Sequence, residues 1–324
     1  MLLLLAAFAA AFDFSAWTAN HPPSPHPESA YHFAEDLFAE AADIVAERPG
    51  VVTPFVVAEA VEGRPVWGFR VRDPSGPTKH KLLLFANIHA LEWVPSEVAL
   101  AALREAAEHP IPGVQLDIIV SLNPDGRARV EADLRDGKNV YRRGNANQVD
   151  LNRDFAVNRE AKAIWKALIP RRYAVSPAPL SQPESRGLDQ LAAAERYESS
   201  ISLHAFGGFI YYPWAGLWKR ADDYRVFQHL GVTMQAGMTH HPYKPRQLSR
   251  WGFFFRGQGM ELDHLYGTYG TLAFLVETTR SGLTPFRPAD WTSHFRLYNP
   301  RDPAPHVRDG AGLVRAWTHA FRDP

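Results

Sequence analysis

Residues 81–89 read KLLLFANIH, a near-continuous apolar run of strand length. Residues 95–109, PSEVALAALREAAEH, follow with apolar positions at helical spacing and a proline at the helix start. A strand feeding a helix in this way is the unit of a parallel α/β sheet covered on both faces. Outward from it, residues 115–122 (QLDIIVSL), 199–206 (SSISLHAF) and 271–278 (TLAFLVET) read as further buried strands, and residues 51–61 and 65–71 as strand-like stretches. Residues 31–48, 184–197 and 306–321 carry helical periodicity, the first stopped by Pro49-Gly50. The expected fold class is α/β, a single domain with a mixed, mostly parallel twisted sheet and helices on both faces.

The body is expected over residues 29–324. Residues 1–12 (MLLLLAAFAAAF) are too short to span a bilayer but match a secretion-signal core, although no Lys or Arg precedes the apolar run. They predict a secreted or periplasmic protein without a stable membrane anchor. Residues 13–28, rich in Pro, Ser and His, read as a linker. Residues 123–183, dense in Asn, Asp, Gly, Arg and Pro, read as a functional loop region with a short helical piece near 161–168.

Composition narrows the chemistry. Among 324 residues, Lys plus Arg and Asp plus Glu are 35 each, so no overall field favours nucleic acid or an anionic bilayer. With 0 Cys, thiolate zinc sites, iron–sulfur clusters, disulfides and cysteine nucleophiles are all excluded. Any metal must be held by Asp, Glu or the 14 His. No G-x-S-x-G, P-loop or dinucleotide fingerprint is present.

His89-Ala-Leu-Glu92 places an imidazole and a carboxylate three residues apart at the end of the 81–89 strand, where open α/β sheets bind ligands. Chance alone supplies roughly one H-x-x-E in such a chain, and His32-Phe-Ala-Glu35 is a second copy, inside the first helix. His204 ends the 199–204 strand; it is either a satisfied core histidine or a third ligand, leaving one position of a tetrahedral zinc for water. Glu277, the sole carboxylate of its strand, either faces solvent or serves as base to a metal-bound water. Asn123-Pro-Asp-Gly126 reads as a turn. Arg142, Asn152 and Arg153 in the loop that follows are either ordinary surface groups or donors to a planar carboxylate.

As a set these residues resemble the zinc metallocarboxypeptidase (funnelin, carboxypeptidase A-like) family over residues 30–320. In family order come Tyr31-His32, Glu62-Gly-Arg-Pro65, Ile88-His-Ala-Leu-Glu-Trp93 and Asn123-Pro-Asp-Gly126. Asp150-Leu-Asn-Arg153, Ser181-Gln-Pro-Glu-Ser-Arg186, Ser202-Leu-His204 and Val276-Glu277 follow. The resemblance implies one zinc per chain on His89, Glu92 and His204, the His2Glu set known for carboxypeptidase A. It implies Glu277 as general base, Arg142 as the oxyanion-stabilising arginine, and Asn152 and Arg153 as the clamp on a peptide's free C-terminal carboxylate. The expected activity is release of the terminal amino acid by a monomer. A cell-wall (murein) peptidase or an acyl-amide hydrolase on the same fold is the alternative.

Departures from the family pattern are Leu91, where an arginine is common, Asp154 after Arg153, and phenylalanine at two tyrosine positions, Phe206 and Phe255. They imply weaker or altered substrate binding with the chemistry retained. The pocket floor falls on Leu262, implying an apolar terminal residue, or one place earlier on Glu261, implying Lys or Arg.

Overall fold

The computed structural model of the chain describes residues 13–160, 175–250, 256–280, 282–283 and 287–322. The apolar run 81–89 forms strand β3 (His80–Ala86), and a helix, Val94–Glu108, leaves it with a proline in the first turn. The other strands are β1 (Val52–Glu59), β2 (Pro65–Arg72), β4 (Val114–Ile119), β5 (Ser199–His204), β6 (Phe209–Tyr212), β7 (Lys244–Gln247) and β8 (Leu272–Glu277).

Among the described residues they make one eight-stranded sheet in the order β1-β2-β4-β3-β5-β8-β6-β7. Its centre, β4-β3-β5-β8, is parallel, while β1, β2 and β6 add antiparallel pairings. Every residue of β4 and β5 is buried, as expected of central strands covered on both faces. The helix Ala304–His319 packs on Val94–Glu108 and on Tyr224–Ala236, while Pro183–Glu195 packs on β1 and Glu261–Tyr269 on β8. After β3 the chain steps to β4 on one side and returns to β5 on the other. The crevice beyond the carboxyl ends of β3 and β5 is therefore a topological switch point, where such sheets bind ligands.

Two expectations are corrected. Residues 13–28 are docked rather than a free linker. Asp13 caps a helix, Phe14–Ala19, by accepting the Ser15 and Ala16 N–H groups. Phe14 is buried edge-on against Trp67 and Phe69, with ring centroids 4.8 and 5.1 Å away, and His26 stacks on Phe33 and pairs with Asp36. A Pro-rich segment cannot build a core, yet an aromatic anchor lets it join one. Second, Asn123-Pro-Asp-Gly126 begins a helix, Pro124–Arg135, instead of making a turn. The Asn123 side chain accepts the Gly126 N–H at 3.0 Å, and Pro124 occupies the position where no N–H is needed. Residues 1–12 and 161–168 lie outside the described residues. No described helix is long and apolar enough to cross a membrane.

Candidate metal centre and substrate pocket

The loop after β3 is folded by Asn87, whose φ of +56° lies in the left-handed region that asparagine tolerates. Its amide donates to the carbonyls of His89 (2.9 Å) and Glu92 (3.0 Å), and its oxygen accepts the Ser121 hydroxyl at 2.9 Å. This wraps His89-Ala-Leu-Glu92 so that His89 Nδ1 stands 2.8 Å from Glu92 Oε1. His204 arrives from the end of β5, its Nδ1 3.2 Å from His89 Nδ1 and 3.4 Å from Glu92 Oε2. All three side chains are buried, and one potential ligand atom from each lies within 4.8 Å of the others.

The donor set fits a zinc ion. Each imidazole turns its other nitrogen onto an oxygen: His89 Nε2 to Asp150 Oδ1 (3.1 Å), and His204 Nε2 to Ser202 Oγ (2.8 Å) and Glu261 Oε1 (3.1 Å). An imidazole donating from Nε2 carries its lone pair on Nδ1. Two such lone pairs facing each other repel unless a proton or a metal cation lies between them. Ligands ~2.0–2.1 Å from a tetrahedral zinc stand about 3.3 Å apart, close to the separation observed.

Glu277 ends β8 directly beside His204, its register partner in β5. The chain passes close over it at Gly207, where a Cβ would come within 3.2 Å of the Glu277 Cβ. Glu277 Oε2 is buried without a hydrogen-bond partner. Burial, and then the negative charge of Glu92, push this carboxyl up to about 8; a dication on the three ligands would pull it back down. Burial acts against Glu92 and Asp150 as well, but the cationic groups around them hold both below the usual carboxylate range.

His89, Glu92, His204 and Glu277 line a cavity of about 340 Å³ that also takes in Asn152 and Arg153. Asn152 is buried, with Oδ1 accepting the Glu261 N–H at 3.2 Å, and Arg153 Nη1 donates to the Asn152 carbonyl at 2.6 Å. Phe206 stands on the cavity wall. Leu91 is buried, its carbonyl accepting from Asn299 at 2.7 Å. Phe255 lies outside the described residues.

Arg142 is not brought to this cavity. It turns away to form a two-point ion pair with Asp133, and Arg143 takes the wall instead, with Nη1 3.3 Å from Glu92 Oε1 and Nε 2.8 Å from Asp150 Oδ2. Adjacent residues in extended chain point to opposite sides, so a one-residue shift exchanges a surface arginine for the inner one. The floor expected at Leu262 or Glu261 is also corrected. Leu262 is buried away from the cavity, and Glu261 lies behind His204. The apolar wall consists of Tyr211, Leu248, Met260 and Leu275.

Sequence reasoning also missed Asp150, Ser202 and Tyr298. The first two stood inside quoted motifs, Asp150-Leu-Asn-Arg153 and Ser202-Leu-His204, and alternation along β5 puts Ser202 on the same side as His204. Tyr298, which reaches the cavity from the helix His294–Tyr298, had no such signal.

Comparison with known proteins places the chain in a family. Residues 38–293 match the sequence model of the zinc carboxypeptidase family. Carboxypeptidase A2 of Mus musculus is 24% identical over 208 residues, covering 60% of this chain and 49% of that protein. The chain thus spans about half the length of the curated relatives it first matches. Carboxypeptidase A from Helicoverpa armigera superposes with a TM-score of 0.72 at 20% identity, covering 99% of this chain and 81% of that one. Bovine thrombin-activatable fibrinolysis inhibitor, solved with tick carboxypeptidase inhibitor, gives 0.72 at 16% identity, with 90% and 97% covered. At those identities the superpositions establish the fold, and the family match extends over most of the chain: this protein belongs to the zinc carboxypeptidase family.

Proposed function

We propose that the chain is a zinc-dependent carboxypeptidase that removes the terminal amino acid from peptides with a free C-terminal carboxylate. The observation that carries this reading is the convergence of two Nδ1 atoms and a carboxylate beside Glu277 and an Asn–Arg pair in one cavity. His89, Glu92 and His204 would hold one zinc, which when bound supplies Lewis-acid polarisation of a carbonyl and lowers the pKa of water.

The chain's own residues do the rest. Asn152 and the Arg153 guanidinium receive the substrate's terminal carboxylate through paired N–H donors. That anchors the last peptide bond near Glu277. Its carboxylate takes a proton from the attacking water and returns it to the leaving nitrogen. Arg143 keeps an Nη2 group for the carbonyl oxygen as negative charge develops there. Tyr211, Leu248, Met260 and Leu275 offer no charge to the terminal side chain, which supports a preference for apolar residues.

Hydrolysis of a C-terminally free peptide, followed by release of the last residue, tests the reading. Glu277→Gln is expected to abolish turnover while retaining zinc; retained turnover overturns the role of Glu277. Muropeptides and acyl amides in the same assay separate the alternative that the substitutions at Leu91 and Phe206 favour. Export by the apolar residues 1–12 is tested by N-terminal sequencing of the secreted protein, and the monomeric state by sedimentation.

A further inference from the structure

The two metal-facing histidines are each backed by an acid, but the two acids are supported differently. Asp150, behind His89, is neutralised by Arg143 at 2.8 Å. Glu261, behind His204, is fully buried, and among the described residues its ion-pair partner is His204 alone. Its second oxygen, Oε2, has no hydrogen-bond partner. Glu261 opens the helix Glu261–Tyr269, whose N-terminal end favours a negative charge, and its N–H is fixed by Asn152 Oδ1.

A buried carboxylate against a neutral imidazole is expensive. It becomes favourable when the imidazole carries positive charge, which a cation on its other nitrogen supplies. From this we propose that Glu261 is a positioning residue of the zinc centre. Its carboxylate accepts the Nε2–H of His204, fixing the tautomer that presents Nδ1 to the metal, and its charge strengthens zinc retention. The inference rests on the zinc reading of His89, Glu92 and His204. It differs from a specificity role for Glu261, because the carboxylate reaches the ligand and not the cavity.

Ser202 Oγ, 2.8 Å from the same nitrogen, is the competing acceptor. The experiment compares full-length wild type, Glu261→Gln, Ser202→Ala and Glu277→Gln by zinc titration against a chromophoric chelator. Glu261→Gln keeps an acceptor oxygen but loses the charge. It is expected to weaken zinc binding roughly 10- to 100-fold and to regain kcat at saturating zinc. Glu261→Asp, which withdraws the carboxylate by one methylene, is expected to weaken binding as well and serves if the glutamine variant does not fold. In the zinc-loaded protein the His204 Nε2–H proton resonance is expected to move upfield when Glu261 is replaced. Wild-type affinity in the Glu261 variants, with loss confined to Ser202→Ala, overturns the proposal and makes Ser202 the acceptor. Failure of wild type and Glu277→Gln to bind zinc overturns the metal reading itself.

Discussion

The cavity has two differently built halves. The metal half is assembled from the ends of neighbouring parallel strands: His89 and Glu92 just after β3, His204 closing β5 and Glu277 closing β8. Its side chains are backed by Asp150, Ser202 and Glu261. The recognition half comes from scattered places, with Tyr211 on a four-residue strand, Leu248 opening a short turn, Met260 at the start of the helix Glu261–Tyr269, Tyr298 at the end of a five-residue helix and Arg143 in a loop. Strand ends fix position through the sheet, whereas loops fix it only through side-chain packing. Chemistry should therefore be sensitive to single atoms in the first half, and selectivity should be tunable in the second.

The largest expected effect belongs to the metal half. Glu277→Gln should lower kcat by at least about 10²- to 10⁴-fold, the usual contribution of a general base, with zinc stoichiometry unchanged by elemental analysis. The sharpest contrast lies between two consecutive arginines. Arg143→Ala is expected to cost roughly 10²- to 10³-fold in kcat, as for loss of one oxyanion donor. Arg142→Ala, which removes a half-exposed ion pair with Asp133, should change kcat/KM only a few-fold. Equal losses would erase the distinction between inner and outer arginine.

A third test concerns protons. In the metal-free chain burial pulls the His204 imidazole down, but Glu261 and Glu92 outweigh it and hold His204 at about 10. Zinc must displace that proton, so affinity should rise with pH, by about tenfold per unit between pH 6 and 9 for one proton released. Calorimetry in buffers of different ionisation heat counts the protons, and a flat profile would mean His204 is neutral before zinc arrives. The smallest effect is expected on the recognition wall, where Met260→Ala should shift the preference among terminal side chains by roughly tenfold in relative kcat/KM and leave zinc binding intact.

The same division explains what could be read from the sequence. The central strands were legible because their buried stretches are bounded by turns and helices, and their ends marked His89, Glu92, His204 and Glu277 as candidates, for which the family resemblance favoured the functional reading. Arg143 was missed by one residue, since loop sequence carries no periodicity to say which of two arginines points inward. Met260 and Tyr298 depend on how distant segments meet, and nothing local records that. Phe14 shows the same limit at the fold level: one buried aromatic anchors a segment whose composition suggests a tether.

The most direct measurement is mass spectrometry of paired peptides, identical except for a free or amidated C-terminus, incubated with the zinc-loaded protein. The account predicts loss of one residue from the free acid and none from the amide, because Asn152 and Arg153 need a carboxylate to hold. Equal hydrolysis of the amidated peptide, or cleavage at internal bonds, would contradict it.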